Sequence, residues 1–337
     1  MSKNFPYVTL LIVVKNEREY IDRSLKSLLN QTYPKENTEI IIVDGMSTDG
    51  TREWLQNRVK ELREKDISIG LLDNPKHILA SGWNLGIKNA IGEIVCRIDA
   101  HNEVCPDYVR IGIKELAKRE HENVVCVGGV EKSIGYGVIG ESIANLYSSA
   151  FGVGNAMYRI GLNKSSFTDT SKCGLYWKWI FNKIGYFDES LERNQDIALH
   201  SRILKNGYKF ITQPEMRVKY YVRDTIPKLI KKAFGDGYWA IYSQKSYLRH
   251  KIPLFFVIYL FSIPLTMLPI FYLSSFWHYL YLLPCIFYIF LSISFSIKDG
   301  QAYRRFLLPF FFLIFHISYG LGSFKGVIDK LILKKFN

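Results

Sequence analysis

Ile94-Val95-Cys96-Arg97-Ile98-Asp99-Ala100-His101 is an apolar run that stops abruptly on an acid and an imidazole. The run reads as a buried strand over Ile94–Ile98, with Asp99-Ala100-His101 at its carboxyl end. A carboxylate and an imidazole placed there can hold a divalent cation against a diphosphate. Further along, Arg193-Asn194-Gln195-Asp196 opens a stretch whose apolar residues Ile197, Leu199, Ile203 and Leu204 have helical spacing. An isolated carboxylate at Asp196 can take a proton from an incoming hydroxyl. Neither motif decides the matter alone.

Working outward, Val8–Val14, Ile40–Val43, Ile67–Leu72 and Val124–Val127 repeat the strand pattern. Helical stretches fill the gaps. Ile21, Leu25, Leu28 and Leu29 form one apolar stripe, and Trp54, Leu55, Val59 and Leu62 another, behind Ser47, Thr48 and Asp49 as candidate caps. Alternating strands and helices predict an α/β domain built on a mostly parallel sheet covered on both faces. Ligands of such sheets bind beyond the carboxyl ends of the strands. Lys15-Asn16-Glu17, Asp44 through Gly50, and Asp99-Ala100-His101 all lie there, so three loops converge on one crevice. Taken singly, Asp44, Ser47 and Asp49 have a plainer alternative as turn and cap residues; taken together they favour a ligand.

The 337-residue chain has a mean hydropathy of +0.01, which conceals two different parts. From Ile252 the composition turns apolar and aromatic. Ile252–Leu273, Phe276–Ser296 and Phe306–Gly322 are each about the length needed to cross a bilayer core. The third holds Pro309 and His316, which leaves a short tilted span and a re-entrant segment both open. The apolar stretch near the N-terminus meets charge at once, as a buried strand does and a secretory segment does not. Five cysteines without a Cys-x-x-Cys pair predict neither a disulfide framework nor a zinc site, and suit a reducing cytosol.

A formal net charge of +13 raises the question of nucleic acid. Lys and Arg instead crowd the approach to the apolar region, at Lys228, Lys231, Lys232, Lys245, Arg249 and Lys251, so no nucleic-acid partner is expected. The positive-inside rule puts the polar domain in the cytoplasm. The basic loop Lys298–Arg305 agrees with two crossings before it. Lys325, Lys330, Lys334 and Lys335 conflict with a third, so two and three crossings both stay open. The expected division is a catalytic domain over 1–222, an amphipathic interface segment over 223–251, a membrane region over 252–328 and a basic tail over 329–337. In the interface segment, Ile226, Leu229, Ile230, Ala233 and Phe234 mark one helical face, suited to lying among lipid headgroups.

The loops also carry a resemblance. Val14-Lys15-Asn16-Glu17, Asp44-Gly45-Met46-Ser47-Thr48-Asp49-Gly50-Thr51 and Ser81-Gly82-Trp83-Asn84-Leu85-Gly86-Ile87-Lys88-Asn89-Ala90-Ile91-Gly92 are similar, in order and spacing, to the signatures of family 2 glycosyltransferases with the GT-A fold. Asp99-Ala100-His101 in place of Asp-x-Asp, with Phe151-Gly152-Val153-Gly154-Asn155, Phe187 through Asp196 and His316 through Gly322, resembles the membrane-attached succinoglycan-biosynthesis type. The usual run of further acids after Asp196 is here Ile197-Ala198.

That resemblance implies a nucleotide-sugar donor, most simply a UDP-sugar, contacted by Val14, Asn16, Glu17, Asp44, Ser47, Asn84, Asp99 and Ala100, with Asp44 on the base. It implies a metal at Asp99 and His101; oxygen ligands suit Mg²⁺ or Mn²⁺, and the imidazole leans toward manganese. It also implies that Asp196 acts as the base in a single displacement with inversion. A plain helix cap is the other reading of Asp196. Asp169 falls where the subgroup often has an acid near the acceptor. Gln195, Trp177 and Trp179 join it as acceptor candidates, although Trp rings more often pack in cores than stack on sugars.

The Gln-x-x-Arg-Trp box of processive relatives is absent, so one sugar per encounter is expected, passed to a lipid-linked saccharide in surface-polysaccharide synthesis. Two alternatives remain: glycosylation of polyprenyl phosphate itself, and a non-catalytic membrane assembly subunit. Gly135-Tyr136-Gly137-Val138-Ile139-Gly140 matches the dinucleotide fingerprint in letters. It does not sit directly off a first strand and has no acid at the required distance, which sets it aside.

Overall fold

In the computed structural model the opening motif forms a strand, and the strands in chain order are β1 (Val8–Val14), β2 (Thr38–Asp44), β3 (Ile69–Asp73), β4 (Ile94–Asp99), β5 (Asn102–Val104), β6 (Val124–Ile134), β7 (Ser166–Thr168), β8 (Lys172–Trp177) and β9 (Lys209–Tyr221). The helices are α1 (Ile21–Leu29), α2 (Thr51–Arg63), α3 (Leu79–Asn89), α4 (Tyr108–Lys118), α5 (Gly137–Ser148), α6 (Ala150–Val153), α7 (Met157–Ile160), α8 (Trp179–Ile184), α9 (Gln195–Lys205), α10 (Ile226–Ala240), α11 (Leu248–Ile270), α12 (Ser275–Asp299) and α13 (Arg304–Ile332). The structure describes residues 5–242, 248–270, 275–301 and 303–332. Lys245, Lys334, Lys335 and the end of the first apolar run lie outside the described residues.

One sheet orders its strands β3-β2-β1-β4-β8-β6-β9-β5, with β7 on β9. β3, β2, β1 and β4 are parallel, as their alternation with helices requires. From β8 onward the described pairings are antiparallel, so the sheet is mixed. β5 and β7, of three residues each, are too short to show a period in sequence, and of the antiparallel half only the start of β6 was legible, as Val124–Val127.

Strand alternation divides the core into two layers. Leu10, Ile12 and Val14 of β1 face one layer with α1 and α4, whereas Leu11 and Val13 face the other, with Trp83 and Ile87 of α3 and Leu199 and Ile203 of α9. On β4, Cys96 and Ile98 belong to the first layer and Val95 to the second. Arg97 and Asp99 therefore share the α3 and α9 side. Glycines let α3 approach β1 closely: a Cβ on Gly82 would lie 2.5 Å from Val13 Cγ1, and one on Gly86 2.2 Å from Leu11 Cδ1.

The chain divides into two compact units, residues 1–132 with 161–221, and 133–160 with 222–337. Residues 133–160, expected within the first domain, belong with the apolar C-terminal helices, because α5 and α6 pack on α13 and α6 also on α12. Within this second unit, His316 lies between Tyr288 Oη (Nδ1, 3.0 Å) and the Phe151 carbonyl (Nε2, 3.0 Å). A carbonyl only accepts, so Nε2 carries the proton and Nδ1 accepts from Tyr288. Phe151 and His316, named above from separate motifs, are thus packed together. α13 runs through Pro309, which lies beyond the first turn and so removes one i→i−4 backbone bond.

Two described helical stretches are long and apolar enough to cross a membrane, Leu280–Asp299 and Arg304–Ile332. The amphipathic α10 turns Leu229, Ala233 and Gly237 inward, and it packs along α13. Their backbones touch: a Cβ on Gly237 would lie 2.0 Å from Tyr319 O. Much of the face expected among headgroups is therefore covered by protein, while Ile230 stays exposed.

Candidate active site at the carboxyl ends of the parallel strands

The loops after β1 and β2 are tied to each other. Asn16 N donates to Ser47 Oγ (2.9 Å), Thr48 N to Asn16 Oδ1 (2.8 Å), and Glu17 N to Thr51 Oγ1 (3.1 Å). Asn16 adopts φ 55°, a left-handed conformation that asparagine tolerates better than most residues. Asp44 faces inward. Its carboxylate accepts from Ser47 Oγ (2.6 Å) and Arg52 Nη1 (3.0 Å), and the side chain is fully buried. Arg52 also forks onto Asp73 at 2.8 Å through both terminal nitrogens. Asp44 thus orders the loop and fixes an arginine that the sequence reading had not singled out.

Val14 and Ala100 are buried, so their side chains shape the loops from beneath. Asn84 is saturated: its Nδ2 donates to Phe187 O and Glu189 Oε1, and its Oδ1 accepts from Phe187 N, each at 2.9 Å. It ties α3 to the segment leading into α9.

At the end of β4, Asp99 Oδ2 accepts from Lys172 Nζ (2.8 Å) and Asn102 Nδ2 (3.2 Å). Burial opposes ionisation of this carboxyl, but the facing charges of Lys172, Arg97 and His101 outweigh it and hold its pKa well below the usual carboxylate range. His101 Nδ1 lies 3.6 Å from Glu17 Oε1, and its ring stands edge-on to Tyr220 at 5.1 Å. The first and third loops therefore meet at these two side chains.

Asp196 occupies the first turn of α9, where the helix dipole favours a negative charge. Its Oδ2 lies 3.7 Å from Arg97 Nη2. Arg97 is buried against the rings of Trp83 (5.2 Å) and Phe187 (5.7 Å), and its charge is reinforced by Asp99 and Asp196 against the cost of burial. One guanidinium on β4 thus interacts with both carboxylates that the sequence marked separately. Gln195 beside it is buried. Trp177 is not brought here: it pairs with Ile94, at the opposite end of β4 from Asp99, about 17 Å away at the usual rise per residue. Trp179 follows it and packs against Tyr208 at 5.6 Å. Asp169 lies in the link between β7 and β8.

One turn after Asp196, His200 is fully buried between Tyr176 Oη (Nε2, 2.7 Å) and Thr170 Oγ1 (Nδ1, 2.9 Å). Burial pushes its pKa down to about 3. Between the unfolded value near 6.5 and that folded value the unfolded chain binds a proton the native state refuses. Stability is therefore expected to fall as pH drops below about 6, by up to about 1.4 kcal/mol per unit. Thermal unfolding from pH 7 to pH 4 should show a shallower loss in His200→Gln than in wild type; parallel curves would remove His200 as the cause.

The donor set at Asp99 and His101 suits a divalent cation. Among the described residues no group of three or more His, Cys, Asp or Glu side chains is placed to hold a metal. Mg²⁺, however, is commonly held by one or two protein ligands, with substrate phosphates and water completing the shell. Asp99, held ionised, and the nearby imidazole of His101 fit that requirement, at the carboxyl end of a parallel strand.

A mixed sheet with three loops at the carboxyl edge of its parallel half, and an acid and a histidine at the end of the fourth strand, is the arrangement of the GT-A fold. The model of glycosyl transferase family 2 matches residues 9–185, and the chain belongs to that family. It is 29% identical over 328 residues, covering 96% of this chain and 97% of the other, to a dolichyl N-acetyl-alpha-D-glucosaminyl phosphate 3-beta-D-2,3-diacetamido-2,3-dideoxy-beta-D-glucuronosyltransferase of Methanococcus voltae. It is 27% identical over 244 residues, 72% of this chain and 70% of the other, to the succinoglycan biosynthesis protein ExoA of Rhizobium meliloti (strain 1021). Among solved structures, the mannosyltransferase PcManGT of Pyrobaculum calidifontis, in complex with GDP-Man and Mn²⁺, superposes with a TM-score of 0.64 at 18% identity, covering 97% of this chain and 89% of that one. The protein is a glycosyltransferase.

Proposed function

We propose that this glycosyltransferase is metal-dependent and inverting, and moves one sugar from a nucleotide-diphospho-sugar to a lipid-diphosphate-linked saccharide at the cytoplasmic face of a membrane. The observation that supports the reading is that Arg97, buried on β4, interacts with both Asp99 at the strand end and Asp196 at the start of α9.

In this reading Asn16, Glu17, Asp44 and Ser47 form the nucleotide end of the crevice, and Asp99 and His101 would hold Mn²⁺ or Mg²⁺. The cation, when bound, neutralises charge on the diphosphate leaving group. Asp196 accepts the proton of the acceptor hydroxyl while that oxygen bonds to the anomeric carbon and the bond to the diphosphate breaks on the opposite face, which inverts the centre. Gln195 and Asp169 lie on the acceptor side. The relatives support a nucleotide-sugar donor and a lipid-linked acceptor: the Methanococcus voltae protein is named for a dolichyl-linked sugar phosphate, and PcManGT was solved with GDP-Man. Membrane attachment falls to the region from about residue 252, with its two apolar helical stretches.

Thermal unfolding of the detergent-solubilised chain with UDP, GDP and their sugars, with and without Mn²⁺ or Mg²⁺, tests this. Nucleotide and metal together are expected to stabilise by about 2.7 kcal/mol at a hundredfold excess over Kd, and Asp99→Asn is expected to lose the metal-dependent part. Equal stabilisation of both proteins would overturn the metal assignment. A glycosyl monophosphate lipid as the only product would replace the acceptor by polyprenyl phosphate.

A further inference from the structure

Lys172 begins β8, and its ammonium lies 2.8 Å from Asp99 Oδ2, 3.2 Å from Glu131 Oε2 and 5.2 Å from the centre of the Tyr220 ring. Its side chain is 11% exposed and that of Glu131 is 0% exposed. Three strands, β4, β6 and β9, thus supply one group each to seat this cation on β8. A lysine in solvent needs none of them.

Asp99 is also the carboxylate through which a divalent cation would be held, an assignment on which this inference rests. An ammonium hydrogen-bonded to one carboxylate oxygen repels a doubly charged ion on the other, because the two sit only a few ångströms apart in a partly buried site. Glu131 changes the outcome. It gives Lys172 a second, wholly buried anion to stay on when Asp99 is taken by the metal, so the ammonium is retained at the site. Two cations beside one another are then favourable only with a polyanion between them.

We infer that Lys172 is a built-in competitor of the divalent cation at Asp99 and, held by Glu131, a diphosphate-binding group, so that metal and nucleoside diphosphate bind this enzyme cooperatively. Metal alone must displace Lys172 against its charge. With a diphosphate present, Lys172 would donate to its oxygens and Asp99 would be left to hold the metal, so that the leaving group's charge would be met from both.

The test is a Mn²⁺ titration of the full chain in detergent, with free Mn²⁺ read by electron paramagnetic resonance, alone and with UDP or GDP. Wild type should bind Mn²⁺ at least tenfold more tightly with the nucleotide than without. Lys172→Met should bind Mn²⁺ alone about tenfold more tightly than wild type and the nucleotide with Mn²⁺ about tenfold more weakly, two shifts of opposite sign that a purely structural lesion does not produce. Lys172→Arg, which forks onto Asp99 more firmly, should weaken Mn²⁺ binding alone, and decides the matter if the Met variant does not fold. Unchanged or weaker Mn²⁺ binding in a folded Lys172→Met overturns the inference, as does tighter binding in Lys172→Arg. Asp99→Asn separates the two levels: if it binds Mn²⁺ as wild type does, the metal assignment itself fails, whereas loss of Mn²⁺ there with no response to Lys172 defeats only the competitor role.

Discussion

Asp196→Asn is expected to lower kcat by roughly 10²–10⁴-fold, the usual contribution of a positioned general base, while leaving the affinity for donor nucleotide within about twofold. The amide keeps the shape of the side chain, its place in the first turn of α9 and its contact with the Ile197 N–H at 2.9 Å, but it cannot accept the hydroxyl proton. Asp196 is one-third exposed, so the substitution removes no packing; it takes one carboxylate from Arg97 at 3.7 Å but leaves Asp99 to interact with that guanidinium, and Tm should fall by only a few degrees. Single-turnover kinetics with saturating donor, together with nucleotide binding measured separately, distinguish the loss of a proton acceptor from a damaged site. Turnover equal to wild type would take Asp196 out of the reaction and leave it a first-turn acid whose charge complements the helix dipole, Asn194 being the N-cap.

Arg97→Met carries the largest expected effect on stability. Arg97 is 8% exposed, stacked on Trp83 and Phe187 and facing Asp196, with Asp99 close enough to interact through charge. Replacing a whole buried ion pair by apolar groups can be neutral, whereas removing one partner strands the other. Here two carboxylates lose a shared cation. Asp196 is partly solvated and recovers some of its loss from water, so the low end of the range, about 3 kcal/mol, is expected. In a unit of this size that is a fall in Tm of roughly 10 °C. Turnover should drop at least tenfold as well. Arg97→Lys should recover part of the stability but not all, since an ammonium cannot stack as the planar guanidinium does. A folded Arg97→Met with wild-type Tm and turnover would show that the bridge is incidental.

The local chemistry was legible in advance where a pattern repeats. β1, β2 and β4 appear in the sequence within a few residues of their observed bounds, because β-branched runs between turn residues leave few other choices. The Asp44 to Thr51 turn announced its own hydrogen bonds, since Ser, Thr and Asp at short spacing bond the nearby backbone whatever surrounds them. Trp177 was misleading for the opposite reason. Its ring is equally suited to a sugar or a core, and only the register of β8 against β4 shows that it lies at the end away from Asp99.

Arg97 and Lys172 had no signal of that kind. A lone Arg within an apolar strand and a lone Lys in a polar link have no spacing to read, and Lys172 lies far along the chain from Asp99. Lys172 takes its meaning from antiparallel pairings set by the rest of the sheet, and Arg97 from the packing of α3 and α9 against β4. The sequence by itself determined the parallel half of the fold, the loops that reach its carboxyl edge and the apolar C-terminal region, because periodicity and turn chemistry act over a few residues. Only the tertiary structure decided which charges face one another there, and that residues 133–160 pack with the C-terminal helices. Long-range strand pairing and burial fix both, and neither leaves a mark on the residues adjacent in the chain.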